Sequence, residues 1–480
     1  MSMTRFARLL VQEWRLFAAN RSNLVLLTVL AALLGFSVAK GVARVTATQA
    51  AQQEAVEAAT TRWADARSQF VEITEGRREK QQFYDATRAD LVLMSHRNAL
   101  VLKPTSLALL SVGPAREGHD IVAVGVQARG AAGASSRENP AIRLDGPLDA
   151  AFVITWLLPL MLIVLSYDVL SRDREQQVTH ILASQGVGLG VIVLARLAVR
   201  FVAVFALTAG IVTVGVAVVM QGELSRAIAD LALWLAALAV FIAFWLALGA
   251  LVNAHSKNSA AAGLALMGFW VVIALLVPVV ASQLLSGGSA APQRLDSVLG
   301  RRALEAELTE LAAEVTERYY AENPARRPRA PAINEYEKYF VESYYPRQVA
   351  LDAQFEPLAR LVAARKVEQA ERLRTAALFS PSMAMKMLTD DVAGYAPERR
   401  HRFDTAAAEF QAKWRAFYDI KFASRTPLTL DDYDDAPRVA YRDEHPHARA
   451  VRNTLPAIGL LLAILLAALA AHTRLRRAGP

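Results

Sequence analysis

Six long apolar runs divide this chain of 480 residues, and they decide most of what it can fold into. A helix needs roughly 17 to 25 consecutive, mostly apolar residues to cross a bilayer, and 54% of the residues here are hydrophobic. The sequence therefore predicts a mainly α, polytopic membrane protein with six transmembrane helices. The predicted spans are 23–41, 150–170, 188–220 including its lead-in, 231–252, 260–286 and 453–471.

The charged residues predict how these spans are oriented. The formal charge is +8, yet segment 42–149 carries 13 basic and 13 acidic residues and segment 287–452 carries 26 of each. The basic surplus lies mainly in the N-terminal tail, two short loops and the C-terminal tail, and such regions stay in the cytoplasm. We therefore expect 171–187, 253–259, 472–480 and both termini inside, and 42–149, 221–230 and 287–452 outside. Because both large segments are neutral, we expect no nucleic-acid partner.

The first large segment, 42–149, is predicted to be α-helical with a minor β part. Val56, Trp63 and Phe70 recur every seven residues, so either the first span continues outward as a stalk or an ordinary domain helix lies here. Ile121 to Val126 predicts a strand, and the Gly/Ala/Ser-rich run from Arg129 to Ser136 predicts a flexible linker. The chain has no cysteine, so each large segment is expected to fold on its own core without disulfides.

The second large segment, 287–452, is predicted to be mainly α-helical. A proline-rich break at Pro324 to Pro331 and an acidic turn at Asp431 to Asp435 interrupt the helical pattern. The predicted helices are Arg301 to Tyr320, Glu335 to Tyr345, Gln348 to Leu378 and Pro397 to Tyr418.

The N-terminal residues 1–22 predict an amphipathic helix that lies on the membrane surface. Phe6, Leu10, Trp14 and Phe17 fall at helical spacing with charged residues between them. The alternative is a signal peptide cleaved after Ser37-Val38-Ala39. The length and pattern of the region before the span favour a retained helix.

The sequence contains no obvious site for catalysis or for ion coupling. The predicted spans hold no Glu or His and one Asp, Asp168, which lies near the inner end of the second span. An ion-driven transporter needs such residues well within the bilayer, and Arg196 and Arg200 are expected to snorkel to the cytoplasmic surface. No Gly-Lys pair occurs, so the chain lacks a phosphate-binding loop, and any ATP would be hydrolysed by another chain. His445-Pro446-His447 fits a solvated loop better than a metal site. We therefore expect no enzyme activity, no catalytic or metal-binding residues and no cofactor in this chain.

Two prolines fall near the middle of predicted spans. Pro159 and Pro278 predict local irregularity, either for packing or for a pathway through the membrane.

Residues Ser171 to Val187 form the most informative cytoplasmic stretch. The first half is charged and the second half is apolar, which is typical of a short helix at the membrane surface, although a simple charged turn is the alternative. The residues expected to contact a soluble partner here are Asp173, Arg174, Glu175, His180, Ser184 and Gln185.

This stretch resembles the signature that follows the second span in ABC-2-type transporter permeases, the membrane subunits of type-2 ABC exporters. Asp173 and Glu175 match the acidic positions, whereas Gln177-Val178-Thr179 stands where Gly-Thr-Leu is usual and Gly186 replaces a proline. Leu144-Asp145-Gly146 and Ser166-Tyr167-Asp168 also resemble a subgroup with large extracytoplasmic domains after spans one and five. In the second large segment, Ser380-Pro381, Ala393-Gly394 and Arg400-His401-Arg402-Phe403 resemble a domain of unknown function in that subgroup.

The resemblance implies a permease subunit in a bacterial inner membrane. Its partners would be a separate ATPase subunit carrying ATP and Mg, a second permease subunit as homodimer or heterodimer, membrane lipid, and a periplasmic protein. The function it implies is export of a substrate driven by that ATPase. One alternative is a mechanotransmitter that acts on a periplasmic partner without moving cargo. A less favoured one is a membrane-anchored sensor or scaffold.

Overall fold

The protein is a mainly α polytopic membrane protein, seen here in a computed structural model. The structure describes residues 3–80, 85–112, 120–127, 129–131, 148–177, 188–221, 227–285, 306–328, 344–424, 426–438 and 441–477, with 225, 303, 335 and 338–339. Six described helices are long and apolar enough to cross a membrane, as the sequence predicted.

The helices are numbered α1 to α14 along the chain, and the spans are α2, α4, α5, α6, α7 and α14. The first seven are α1 (Met3–Ala19), α2 (Arg21–Thr74), α3 (Ala89–Ser95), α4 (Ala150–Glu175), α5 (Leu189–Met220), α6 (Ile228–His255) and α7 (Ser259–Leu285). The others are α8 (Ala312–Glu322), α9 (Tyr345–Ala376), α10 (Pro381–Val392), α11 (Pro397–Ser424), α12 (Leu430–Asp435), α13 (Pro446–Arg452) and α14 (Thr454–Arg477). Short 3₁₀ turns lie at Ala108–Leu110, Pro324–Arg326 and Ala377–Phe379.

Helix α2 continues from the first span as a stalk. It is a single helix of 54 residues, and Asn20 caps its start by accepting a hydrogen bond from Ser22 N–H. Its membrane part is apolar. Of the predicted seven-residue stripe in its far part, Ala59, Phe70 and Ile73 are buried, whereas Val56 is exposed. Near the membrane, α2 packs closely against the 3₁₀ turn Ala108–Leu110. A Cβ added to Gly41 would lie 2.0 Å from the Leu109 carbonyl oxygen.

Helices α4 and α7 each contain one π-helical turn, placed just before a proline. The turns are Val153–Leu157, followed by Pro159, and Val271–Leu276, followed by Pro278. Since proline has no N–H and its ring clashes with the preceding turn, a regular α-helix is disfavoured at both places. The two prolines predicted local irregularity, and the structure shows it as one π turn in α4 and one in α7.

The spans pack around α4 and α6. Trp234, Phe241 and Trp245 of α6 are almost completely buried, and they share one apolar core with residues of α2, α4 and α5. At Gly249 the two central helices come so close that an added Cβ would lie 2.8 Å from Ser166 Oγ of α4. Helix α7 is the least buried of the six spans.

A three-stranded antiparallel sheet of β1 (Asn98–Val101), β2 (Ile121–Val124) and β3 (Arg129–Ala131) lies beyond the spans, in the order β1-β2-β3. The predicted strand at Ile121 is confirmed. The predicted linker at Arg129 to Ser136 is wrong for its first three residues, because they pair with β2, and Ala132 to Ser136 lies outside the described residues. The predicted acidic turn is the short helix α12, whose start is capped by Thr429.

The two large polar segments share their cores, whereas the sequence predicted a core for each. Phe70 of α2 lies in one cluster with Trp414 of α11 and Tyr433 of α12. Leu100 and Val122 of the sheet pack against Phe403 of α11 in a second cluster. We call this joint body the head. It comprises the far half of α2 together with α3, β1–β3, α8, α9, α11 and α12.

Helix α10 belongs to the membrane bundle and not to the head, although the sequence placed it within the second large segment. Its Met385, Leu388 and Val392 lie in the same core as the spans. At its end, Asp390 accepts hydrogen bonds from Lys386 and from Ser111 of the first large segment.

Candidate functional site

We call the end of the bundle where α4 leads toward α5, and α6 leads into α7, the loop end. Asn253 is its organising residue and is completely buried. Its Oδ1 accepts from Ser171 Oγ at 3.1 Å and from the N–H groups of Leu170 and Ser171 at 3.3 Å. Its Nδ2 donates to the carbonyls of Ser166 and Gly249 at 2.9 Å. The sequence placed Asn253 in a cytoplasmic loop, whereas it lies in the last turns of α6.

Arg174 joins the end of α4 to the end of α6. Its guanidinium donates to the carbonyls of Ser256 at 2.8 Å, Asn253 at 2.9 Å and Ala254 at 3.2 Å. These carbonyls lack partners within their own helix, and a cation is favourable at a helix C-terminus.

Glu175 joins α4 to the start of α7. It accepts hydrogen bonds from Ser259 N–H at 2.7 Å and from Ser259 Oγ at 2.9 Å. A carboxylate at a helix N-terminus satisfies free N–H groups and interacts favourably with the helix dipole.

Asp173 joins α4 to α5 and, through it, to α1. Arg196 of α5 donates to Asp173 at 2.6 Å and to Glu13 of α1 at 3.3 Å. All three side chains are less than one fifth exposed. The expectation that Arg196 and Arg200 snorkel to the surface is wrong, since Arg196 is internally paired and Arg200 donates to the Leu165 carbonyl.

The residues predicted to contact a soluble partner therefore separate into two groups. Asp173, Arg174 and Glu175 bind neighbouring helices of this chain. His180, Ser184 and Gln185 lie outside the described residues. Glu175 is exposed although it is bonded to Ser259, and Arg172, Gln176, Gln177 and Lys257 are exposed at the same end.

Gln177 has a backbone φ of 57°, in the left-handed region. Only glycine adopts this conformation without steric cost. Gln177 is the position where the resembling permease signature has glycine.

A second polar cluster lies where the bundle meets the head, and we call it the junction. Arg449 of α13 pairs with Asp230 at the start of α6, and both side chains are 6% exposed. Arg452 donates to Asp391 of α10 at 2.6 Å and to Glu444 at 2.7 Å. The sequence assigned Asp230 to a short loop, one residue before its predicted span. The local sequence pattern did not indicate its partner, Arg449, which lies 219 residues further along the chain.

Glu444 is the most strongly perturbed carboxylate of the junction. Burial acts to raise its pKa, but hydrogen bonds and charges from Arg452 and Arg402 lower the pKa to about 2. The junction is thus held by ionised groups, and removing one charge leaves another buried without its partner.

Among the residues that the structure describes, no group of three or more His, Asp or Glu side chains is arranged to hold a metal ion.

Residues 294–442 match a family model described as a domain of unknown function, DUF3526. The match covers most helices of the head and also α10. No curated protein and no solved structure matches the chain.

Proposed function

We propose that this protein is the membrane permease subunit of an ATP-driven exporter of the ABC-2 type, with its ATPase supplied by a separate chain. The observation that carries the proposal is the loop end, where residues 170–175 are bonded to α5, α6 and α7 together. A soluble partner that moves this short segment would act on four spans at once. The left-handed backbone at Gln177 supports the alignment with the permease signature.

The exposed residues at the loop end are the proposed contacts with the ATPase. Arg172 is 60% exposed, and Gln176 and Lys257 are exposed beside it. Asp173, Arg174 and Glu175 position the segment instead, through their bonds to neighbouring helices. This assignment separates residues that touch the partner from residues that hold the site in shape.

Co-expression of this chain with its neighbouring genes, followed by co-purification, tests the proposal. We expect an ATPase subunit to co-purify in detergent, and Arg172→Glu to weaken that association while the protein stays folded. Arg365→Glu, an exposed arginine on α9, is the matched control and should leave association unchanged. Absence of any ATPase from the purified complex would contradict the proposal.

The same proposal places the protein in a bacterial inner membrane, with the loop end and both termini in the cytoplasm and the head outside. Because the chain has no cysteine, a single introduced cysteine is the only thiol. We expect Glu368→Cys in the head to react with a membrane-impermeant maleimide in intact spheroplasts, and Lys257→Cys to react only after lysis. The reverse pattern would overturn this orientation.

Mechanotransmission is the second candidate, and the stalk favours it. Helix α2 crosses from the bundle into the head without a break, and the two large segments share two apolar clusters. Movement of the spans would therefore move the head as one body. Reconstituted ATPase activity that responds to a periplasmic protein, and to no lipid or small molecule, would favour this candidate over export.

A further inference from the structure

The π turn of α7 leaves one backbone carbonyl without a partner in its own helix. Val277 N–H donates to the Val272 carbonyl, five residues back, instead of to the Ile273 carbonyl four residues back, as in an α-helix. The next donor along the chain would be residue 278, which is proline and has no N–H. Ile273 O is therefore orphaned near the middle of a span, where water does not reach it.

Ser380, the residue that precedes α10, satisfies this carbonyl. Its Oγ donates to Ile273 O at 2.7 Å, and Ser380 is completely buried. The same oxygen accepts from Met383 N–H at 3.2 Å and so caps α10. One hydroxyl thus joins the first turn of α10 to the irregular turn of α7.

The other end of α10 is tied to α6 and to the junction. Trp234 Nε1 donates to Thr389 Oγ1 at 3.2 Å. Asp391 accepts from Arg452 at 2.6 Å and from Asn453 Nδ2 at 2.6 Å. Arg452 in turn binds Glu444, which pairs with Arg402 of α11 in the head. Helix α10 therefore spans the distance between the π turn of α7 and the residues that bind the head.

We propose that the matched domain of unknown function acts partly within the membrane, through α10. Ser380 holds α7 in its π-turned shape, and Asp391 connects the same short helix to the head. A displacement of the head at Asp391 and a change in the shape of α7 at Ile273 then occur together. This inference rests on the fold alone and does not require the proposed ATPase partnership.

Distance measurements along α7 test the proposal in the full chain. The cysteine-free background allows Leu264→Cys and Leu284→Cys, two side chains of α7 that are 78% and 77% exposed on either side of the π turn. Spin labels on this pair are read by double electron–electron resonance in lipid nanodiscs, without any ATPase. We expect one narrow distance distribution for the parent.

Ser380→Ala should shift or broaden that distribution, because the Ile273 carbonyl loses its donor. Ser380→Gly should do the same. Because glycine is itself tolerated at a helix N-cap, loss of the cap of α10 would not explain that result. Ser380→Thr, which keeps the hydroxyl, should restore the parent distribution. Ser382→Ala is the matched control, because Ser382 Oγ is buried on the same helix and has no hydrogen-bond partner in the described part of the chain.

Parent-like distributions in both Ser380→Ala and Ser380→Gly would overturn the role of Ser380. A change of equal size in Ser382→Ala would also overturn it, since any loss at α10 would then have the same effect. Asp391→Ala should alter the α7 distribution in the same direction, and an unchanged distribution there would overturn the connection to the head. None of these outcomes bears on whether an ATPase binds at Arg172.

Discussion

The loop end and the junction hold the same bundle at opposite ends by different chemistry. At the loop end, Asn253 and Arg174 bond to amide and carbonyl groups of the backbone. At the junction, Asp230 and Glu444 bond to arginine side chains. Backbone groups do not titrate, whereas a carboxylate that pairs with an arginine does. The contacts of Asn253 and Arg174 should therefore keep their geometry across the pH range. The junction, like the Asp173–Arg196 pair of the loop end, depends on ionised groups.

The largest expected effect comes from removing one member of the buried pair at the junction. Asp230→Ala leaves Arg449 buried without its main partner, and we expect a loss of about 3–5 kcal/mol in the free energy of unfolding. Denaturant unfolding followed by tryptophan fluorescence measures it. Glu409→Ala, an exposed glutamate on α11, should change stability by less than about 0.5 kcal/mol.

A double-mutant cycle sharpens this prediction. Arg449→Ala in the Asp230→Ala background should cost much less than Arg449→Ala alone, because the pair is already broken. Additive losses would show that the two side chains do not depend on each other.

The pH dependence of the junction gives the next largest effect. The pKa of Glu444 is lowered from 4.5 to about 2 in the folded protein, so its contribution to stability is complete above pH 4.5 and disappears as the pH falls toward 2. The contribution near neutral pH is on the order of 3 kcal/mol. The stability difference between the parent and Glu444→Gln, measured from pH 7 to pH 3, should shrink below about pH 4.5. A difference that stays constant over this range would contradict the assignment.

At the loop end, Asn253→Ala should cost about 2–3 kcal/mol, because it leaves the N–H groups of Leu170 and Ser171 without their acceptor. The effect of Glu444→Gln shrinks below about pH 4.5, whereas the loss in Asn253→Ala should be the same at pH 7 and pH 3. Gln176→Ala, an exposed amide in the same region, is the control. A pH-dependent loss for Asn253→Ala would remove the contrast between the two ends.

The smallest expected effect is a gain at the loop end. Gln177→Gly should stabilise the fold by about 0.5 kcal/mol, because glycine tolerates the left-handed φ of 57°. Gln176→Gly should instead destabilise, since Gln176 has a φ of −84° and needs no such freedom. Equal effects of the two substitutions would show that the backbone at Gln177 carries no strain.

The comparison also shows which features the sequence could predict. The six spans and helix α1 follow from local periodicity, and they appear in the structure as expected. The stalk was one of two alternatives that the seven-residue repeat left open, and the structure has it. The roles of Asp173 and Glu175 were not predictable, because their partners Arg196 and Ser259 lie in other helices. The sequence shows that a charge is present but not which distant group it meets.

The position of helix α10 was also not predictable from the sequence. Its residues read as part of a polar segment, and only tertiary packing shows that Met385 and Leu388 complete the membrane core. Pro278 did signal irregularity in α7, yet the donor that compensates for it, Ser380, lies 107 residues from Ile273.

Because α2 is unbroken, a small tilt at its membrane end produces a larger displacement at its far end. About 33 of its residues extend beyond the predicted span, a rod of about 50 Å. A tilt of roughly 5° at the membrane then displaces the far tip by about 4 Å, more than the length of a hydrogen bond. Small rotations among closely packed spans are thus converted into excursions large enough to make or break contacts at the outer surface of the head.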